Sequence, residues 1–269
     1  MSSLHVSAIL KTVGLKRSLK AVLRRVNFVR KVSIHDTTFI TPVIYGVRFR
    51  QSETWMSEVL THIFPHISGV FVDVGVNVGQ TLLKVRSLDK NRPYIGFEPN
   101  PTCVSYVQNL ISLNTIRNVK LIPAGVFTED TILSLNLYSD SGASVVNNFR
   151  QNKVYEQIFV PVFRPDSLPH IFPEEKTGII KIDVEGAELE VIKGFSKIIE
   201  RDRPSFVVEI LPCYSESETT RLKRQQEIVA FFKKRTYLLC RIEKNPDGPF
   251  RGFKKLDDIE IHSDISLCD

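Results

Sequence analysis

No apolar run in this chain of 269 residues approaches the ~20 needed to cross a bilayer, which argues against a membrane-spanning helix. Cysteine is scarce: Cys103, Cys213, Cys240 and Cys268 form no C-x-x-C pair and no metal-ligand spacing. Free thiols in a reducing compartment are therefore expected, and with them a cytoplasmic location. The N-terminus lacks the continuous apolar core of a secretory signal. No G-x-G-x-x-G stretch is present, so the glycine pattern of a dinucleotide site is incomplete. Acid is missing from the first 35 residues, where eight Lys and Arg precede Asp36.

That asymmetry accounts for the net charge of +6, because the remainder is slightly acidic. The basic arm, residues 1–35, has apolar positions at helical spacing on either side of Gly14 (Val6, Ile9, Leu10, Val13; Leu19, Val22, Leu23, Val26). Three readings stand for it: a helix packed on the domain, a surface helix drawn to an anionic membrane, or an organelle transit peptide. The second would place the protein at the inner membrane face. Residues 36–269, with 42% hydrophobic and 25% charged residues over the whole chain, read as a single soluble domain.

From residue 70 strands alternate with helices. Strands are expected at 70–74, 93–98, 118–126, 178–186, 205–212 and 236–243, with an edge strand at 257–262. Helices are expected at about 80–88, 102–113, 187–193 (closed by Gly194) and 219–234. The pattern predicts an α/β fold built on one mostly parallel sheet with helices on both faces. The stretch 127–178 breaks the rhythm and reads as a β-hairpin insertion over the cleft, pairing 132–138 with 157–163. Its turn, Ser141 to Ser144, has the composition of a flexible lid or of a plain hairpin loop.

Residues 70–81, VFVDVGVNVGQT, describe a buried strand running into a tight turn and a helix. In parallel sheets the crevice beyond such a strand receives a nucleotide-like cofactor. Here Val76 stands where a pyrophosphate needs glycine, and Asp73 would repel phosphate. A cationic sulfonium cofactor, S-adenosylmethionine, fits an acidic rim better. Glu98, about twenty residues on, is placed to accept ribose hydroxyls.

The blocks VDVGVNVGQ, GFEPNP, IKIDVEGAELEVIKG and RPSFVVEI, in that order from Val70 to Ile210, resemble the FkbM-type methyltransferases. The resemblance implies a Rossmann-like class I methyltransferase fold, its seven-stranded sheet ending in an antiparallel edge strand, and O-methylation of a hydroxyl on a sugar, glycan or secondary metabolite. It assigns Asp73, Gly75, Asn77 and Gly79 to the cofactor loop, and Glu98, with Pro99 and Asn100, to the ribose side. Residues 125–131 depart from the family pattern, leaving the adenine contacts unassigned.

Methyl transfer to an alcohol needs alignment and a proton acceptor. Asp183 ends the strand beside the cofactor strand, with Lys181 on the same face and Glu209 at the end of the next strand. Either a carboxylate among Asp183, Glu185 and Glu209 acts as general base, or Asp183 and Glu209 hold Mg²⁺. Glu185 alternatively caps the following helix. His62, His66 and His170 read as surface residues, and Trp55 and Phe49 as packing or as an acceptor platform. A non-catalytic binding protein working through the basic arm and a nucleic-acid methyltransferase are the alternatives; the latter lacks a [DN]PP[YF]-type block, and nucleic acid is not an expected partner.

Overall fold

The computed structural model describes residues 27–138, 143–144, 154, 156–172, 174–210, 219–244 and 248–257. The part of the basic arm read as a helix, and all of the edge strand expected at 257–262 except Asp257, lie outside these residues. The end of the arm is β structure: β1 (Phe28–Ile34), β2 (Thr37–Ile44) and β3 (Val47–Arg48) form an antiparallel sheet. Its buried face, with Ile34, Phe39, Val47 and Phe49, packs on the outer side of two helices introduced below.

After α1 (Thr54–Ile63) come β4 (Val70–Val74), α2 (Gln80–Leu88), β5 (Tyr94–Phe97), α3 (Pro101–Leu113) and β6 (Val119–Ile122). The short strands β7 (Gly125–Val126), β8 (Thr131–Leu137), β9 (Ala143–Ser144) and β10 (Glu156–Phe163) follow. The chain then returns through β11 (Thr177–Ile182), α4 (Glu188–Gly194), α5 (Ser196–Asp202), β12 (Ser205–Val208), α6 (Thr219–Lys234), β13 (Cys240–Lys244) and β14 (Phe250–Lys255).

The central sheet is parallel, in the order β12-β11-β4-β5-β6. Every residue of β4 and β11 is buried, which is why both read as nearly unbroken apolar runs. Alternation sends Val70, Val72, Val74, Ile180 and Ile182 toward α4, α5 and α6. It sends Phe71, Tyr94, Ile179 and Val207 toward α1, α2 and α3. Two apolar faces thus require two helix layers.

Several boundaries differ from the sequence expectation. The sheet has five hydrogen-bonded strands among the described residues, where seven were expected. β13 and β14 pair only with each other, antiparallel. They are held to α1 instead: the Phe250 amide donates to Glu58 Oε2 at 2.7 Å, and the Phe250 ring meets His62 edge-on. The strand expected over 118–126 divides at Pro123, which has no amide to donate, so β7 leaves the central sheet and pairs with β10. The insertion is accordingly a four-stranded sheet, β7-β10-β8-β9, within which β8 and β10 pair antiparallel as expected.

Gly194 does not cap its helix in a left-handed conformation; it is the last residue of α4. A Cβ there would lie 2.4 Å from the Phe127 carbonyl oxygen, and this close approach is what demands glycine. Gly178 shows the same constraint inside β11, where a Cβ would stand 2.0 Å from the Ser68 carbonyl oxygen. Gly178→Ala should therefore destabilise the protein by about 1–3 kcal/mol, the usual cost of overpacking, read as a lower urea midpoint. An unchanged midpoint would show that the 67–69 loop yields freely.

Candidate active site

Chain order places the site. From β4 the chain steps outward to β5 and β6, then comes back to β11 on the other side of β4. At that reversal the connections after the two strands diverge and open a crevice at their C-terminal ends. The loop after β4 and the residues after β11 face each other across it.

The loop holds three positive-φ residues in five: Gly75 (φ 88), Asn77 (φ 53) and Gly79 (φ 83). Gly75 sits so close to the neighbouring strand that a Cβ would fall 1.9 Å from the Asp183 carbonyl oxygen. Asn77 takes the left-handed region, which asparagine tolerates better than most residues. Its amide donates to Glu98 Oε2 at 2.7 Å, and the Asn100 amide donates to Oε1 at 2.8 Å. Glu98 therefore braces the loop from the end of β5. Burial pushes its carboxyl up to about 7 despite these two donors.

Asn100 is 1% exposed and caps α3 through the Thr102 amide, yet its Nδ2 is a buried donor with no hydrogen-bond partner. Pro99 packs beside Gly125. A bare-backbone loop, a carboxylate with spare lone pairs and an unused amide donor together form a cradle that fits an adenosine-bearing cofactor. Asp73, by contrast, has no exposed surface; Tyr94 Oη donates to its Oδ2, and Lys181 Nζ lies 3.3 Å from its Oδ1. It acts on the crevice by holding Lys181, not by touching a ligand.

Lys181 Nζ also donates to Asp183 Oδ2 at 3.2 Å and to the Gly75 carbonyl at 3.2 Å. One ammonium thus ties β4, its loop and β11 together. Desolvation alone would lower its affinity for the proton, but Asp183 and Asp73 outweigh it and raise the pKa, so Lys181 stays charged. The Asp183 side chain is 29% exposed and reaches the crevice. Glu209 follows β12, its amide continuing the ladder to the Ile182 carbonyl at 2.9 Å, and shares a hydrogen bond with Asp183. Desolvation and the Asp183 charge push the Glu209 carboxyl upward.

This donor set does not fit Mg²⁺. A hard divalent ion selects several ionised oxygens. Here Asp183 already holds the Lys181 ammonium. Among the described residues no three His, Cys, Asp or Glu side chains are grouped to bind a metal. The Mg²⁺ expectation for Asp183 and Glu209 is therefore withdrawn.

Glu185 has φ 55 and belongs to the turn after β11; its carbonyl accepts from Ser144 Oγ at 2.8 Å, which fastens the insertion to this turn. No side chain takes the capping role considered for Glu185; Glu188 Oε1 instead accepts the Gly186 amide at 2.7 Å and braces the turn before α4. Glu190 pairs with Arg224 of α6. Phe49 is buried under the N-terminal sheet, and Trp55 lies beneath Lys244 Nζ at 4.5 Å; both pack the frame.

Three further residues belong to the charge cluster. Tyr94 supplies the hydroxyl that Asp73 accepts, and alternation on β5 could have placed it on that face. Lys84, 2% exposed on α2, pairs with Glu53 at 3.4 Å. Glu53 precedes α1 in a left-handed conformation, φ 51, and its charge is felt by both Lys181 and Glu209. Nothing in its sequence context marks it.

A parallel α/β sheet with a glycine-rich turn and an opposed carboxylate at its reversal point defines a Rossmann-like protein of the methyltransferase class. The pattern of the methyltransferase FkbM domain matches residues 73–239, and the chain belongs to that family. Methyltransferase sdnD of Sordaria araneosa is 28% identical over 152 residues, 46% of this chain and 59% of the relative. Methyltransferase 1 of Beauveria bassiana (strain ARSEF 2860) is 27% identical over 149 residues, 49% of this chain and 59% of the relative. The matches thus span about 59% of the length of either relative. The crystal structure of methyltransferase FkbM from Methylobacillus flagellatus KT covers 53% of this chain and 33% of its own, with 18% identity and a TM-score of 0.39.

Burial gives the cluster a pH signature. The Glu188 carboxyl is raised from 4.5 to about 7 in the folded state, mainly by desolvation. A raised folded pKa contributes stability that is complete below the unfolded value and is lost as pH rises through the folded one. The urea midpoint should fall between about pH 5 and about pH 8, and Glu188→Gln should flatten that fall. An identical slope in the variant would assign the dependence to other groups.

Proposed function

We propose that this chain is an S-adenosylmethionine-dependent O-methyltransferase of a hydroxyl-bearing acceptor, a sugar, glycan or secondary metabolite. The observation that carries this reading is the pairing, across one crevice, of the braced Gly75–Gly79 loop with the half-buried Asp183 carboxylate. S-adenosylmethionine, when bound, supplies an electrophilic methyl with a neutral leaving group. Gly75, Asn77 and Gly79 would admit it against bare backbone, and Glu98 and Asn100 offer an acceptor and a donor for its polar groups.

The chain's own work is then alignment and proton uptake. Lys181 fixes Asp183 at the crevice. Asp183 takes the hydroxyl proton as the oxygen attacks, while Glu209 holds the accepting carboxylate in place by hydrogen bonding. The half-buried Glu185 is the further carboxylate at this edge. A cytoplasmic setting accords with the free thiols of Cys103 and Cys240, and no helix among the described residues is long and apolar enough to cross a membrane.

Isothermal titration with S-adenosylmethionine, followed by turnover with a panel of hydroxyl acceptors, tests the reading. Each product should be heavier by one CH₂, with S-adenosylhomocysteine released in equal amount. Asp183→Asn should slow turnover by about 100-fold or more, with cofactor affinity unchanged. Full activity in that variant would remove Asp183 from the chemistry. Absence of cofactor binding in the native protein would remove the whole reading.

A further inference from the structure

The β13–β14 hairpin carries a surface that the site does not use. By alternation, Leu238, Cys240 and Ile242 share a face with Phe253 and Lys255, since Cys240 pairs with Lys255 and Ile242 with Phe253, while Arg251 stands at the register shift beside them and is exposed. The Leu256 amide donates to the Leu239 carbonyl at 2.9 Å, carrying the ladder past Cys240. The two ends of this face differ. At one end Ile242 packs with the cluster that includes Val207 and Phe71, and Phe250 leans on His62. At the other end Leu238 is 70% exposed, Phe253 is 48% exposed, and Cys240 is exposed as well.

An apolar centre is therefore presented to solvent, with the exposed Lys255 on the same face and the exposed Arg251 at the adjoining register shift. The surroundings carry a net positive charge. From Lys233 to Asp257 the chain carries eight Lys or Arg and three acids. The Lys255–Asp257 pair, 3.3 Å apart and exposed on both sides, offsets little of that charge. Aliphatic and aromatic side chains inside a cationic rim match the interface of an anionic bilayer: the apolar groups enter the headgroup boundary and the bases meet phosphate and carboxylate. A nucleic acid would offer stacking for Phe253 but nothing for Leu238.

We propose that this face of the β13–β14 hairpin docks the protein on anionic phospholipid membranes. The full chain should co-sediment at low salt with phosphatidylcholine–phosphatidylserine vesicles, bind phosphatidylcholine vesicles far less, and dissociate as salt is raised. Leu238→Glu with Phe253→Glu, and separately Arg251→Glu with Lys255→Glu, should each reduce partitioning by about tenfold or more, consistent with roughly one kilocalorie per basic residue near such a surface. All four side chains are substantially exposed, so urea midpoints close to the native one will verify folding. In a chain with Cys213 and Cys268 replaced by Ser, an environment-sensitive fluorophore on Cys240 should shift to the blue on the anionic vesicles. The proposal is overturned by unchanged partitioning in both double variants, by unchanged Cys240 emission, or by failure of the native chain to bind these vesicles. Loss of binding to a single-stranded oligonucleotide in the same variants, without vesicle binding by the native chain, would reassign the face to nucleic acid.

Discussion

One ammonium group holds the site together. Lys181 is 4% exposed in the middle of a parallel sheet, where an unpaired charge would be prohibitive. It persists because Asp73 on β4 and Asp183 at the end of β11 both lie within 3.3 Å, with the Gly75 carbonyl as a third partner. Each group needs the others: removing one member of a buried pair costs about 3–5 kcal/mol, because the survivor is left uncompensated. The arrangement therefore fixes the separation of the loop that follows β4 from the carboxylate that follows β11. Tyr94 extends the same logic one strand further, its hydroxyl completing the shell of Asp73.

Much of this was legible in the sequence, for a physical reason. The pattern VFVDVG sets a buried strand against a turn, and only a special function keeps an acid at the end of such a run. IKID likewise places a lysine and an aspartate on one side of a strand otherwise made of isoleucine. Two adjacent buried strands with opposite charges facing the same way almost require the pairing seen. The helices after β4 and β5 were legible from apolar periodicity, to which the capping Asn100 adds at the second.

What could not be read was long-range. That Pro123 would divert the chain into a second sheet follows from its missing amide, but the partner strand, β10, lies about forty residues away. That β13 and β14 would leave the central sheet depends on Glu58 and His62, and no local pattern announces a contact across nearly two hundred residues. Glu53 is the sharpest case. Its left-handed backbone favours glycine or asparagine by local preference, so its place beside Lys84 is a tertiary fact with no signature in the chain.

That same residue bears on how far the domain is portable. The family pattern begins at Asp73, yet the counter-ion of the buried Lys84 is contributed twenty residues earlier, and α1 also supplies the anchor for the C-terminal hairpin. A graft or chimaera cut at the limits of sequence similarity would inherit a lysine in the core with no partner and a hairpin with nothing to rest on. The unit that can be exchanged intact runs from β1, whose sheet packs on α2 and α3, to the end of β14. Homology alone draws that boundary in the wrong place.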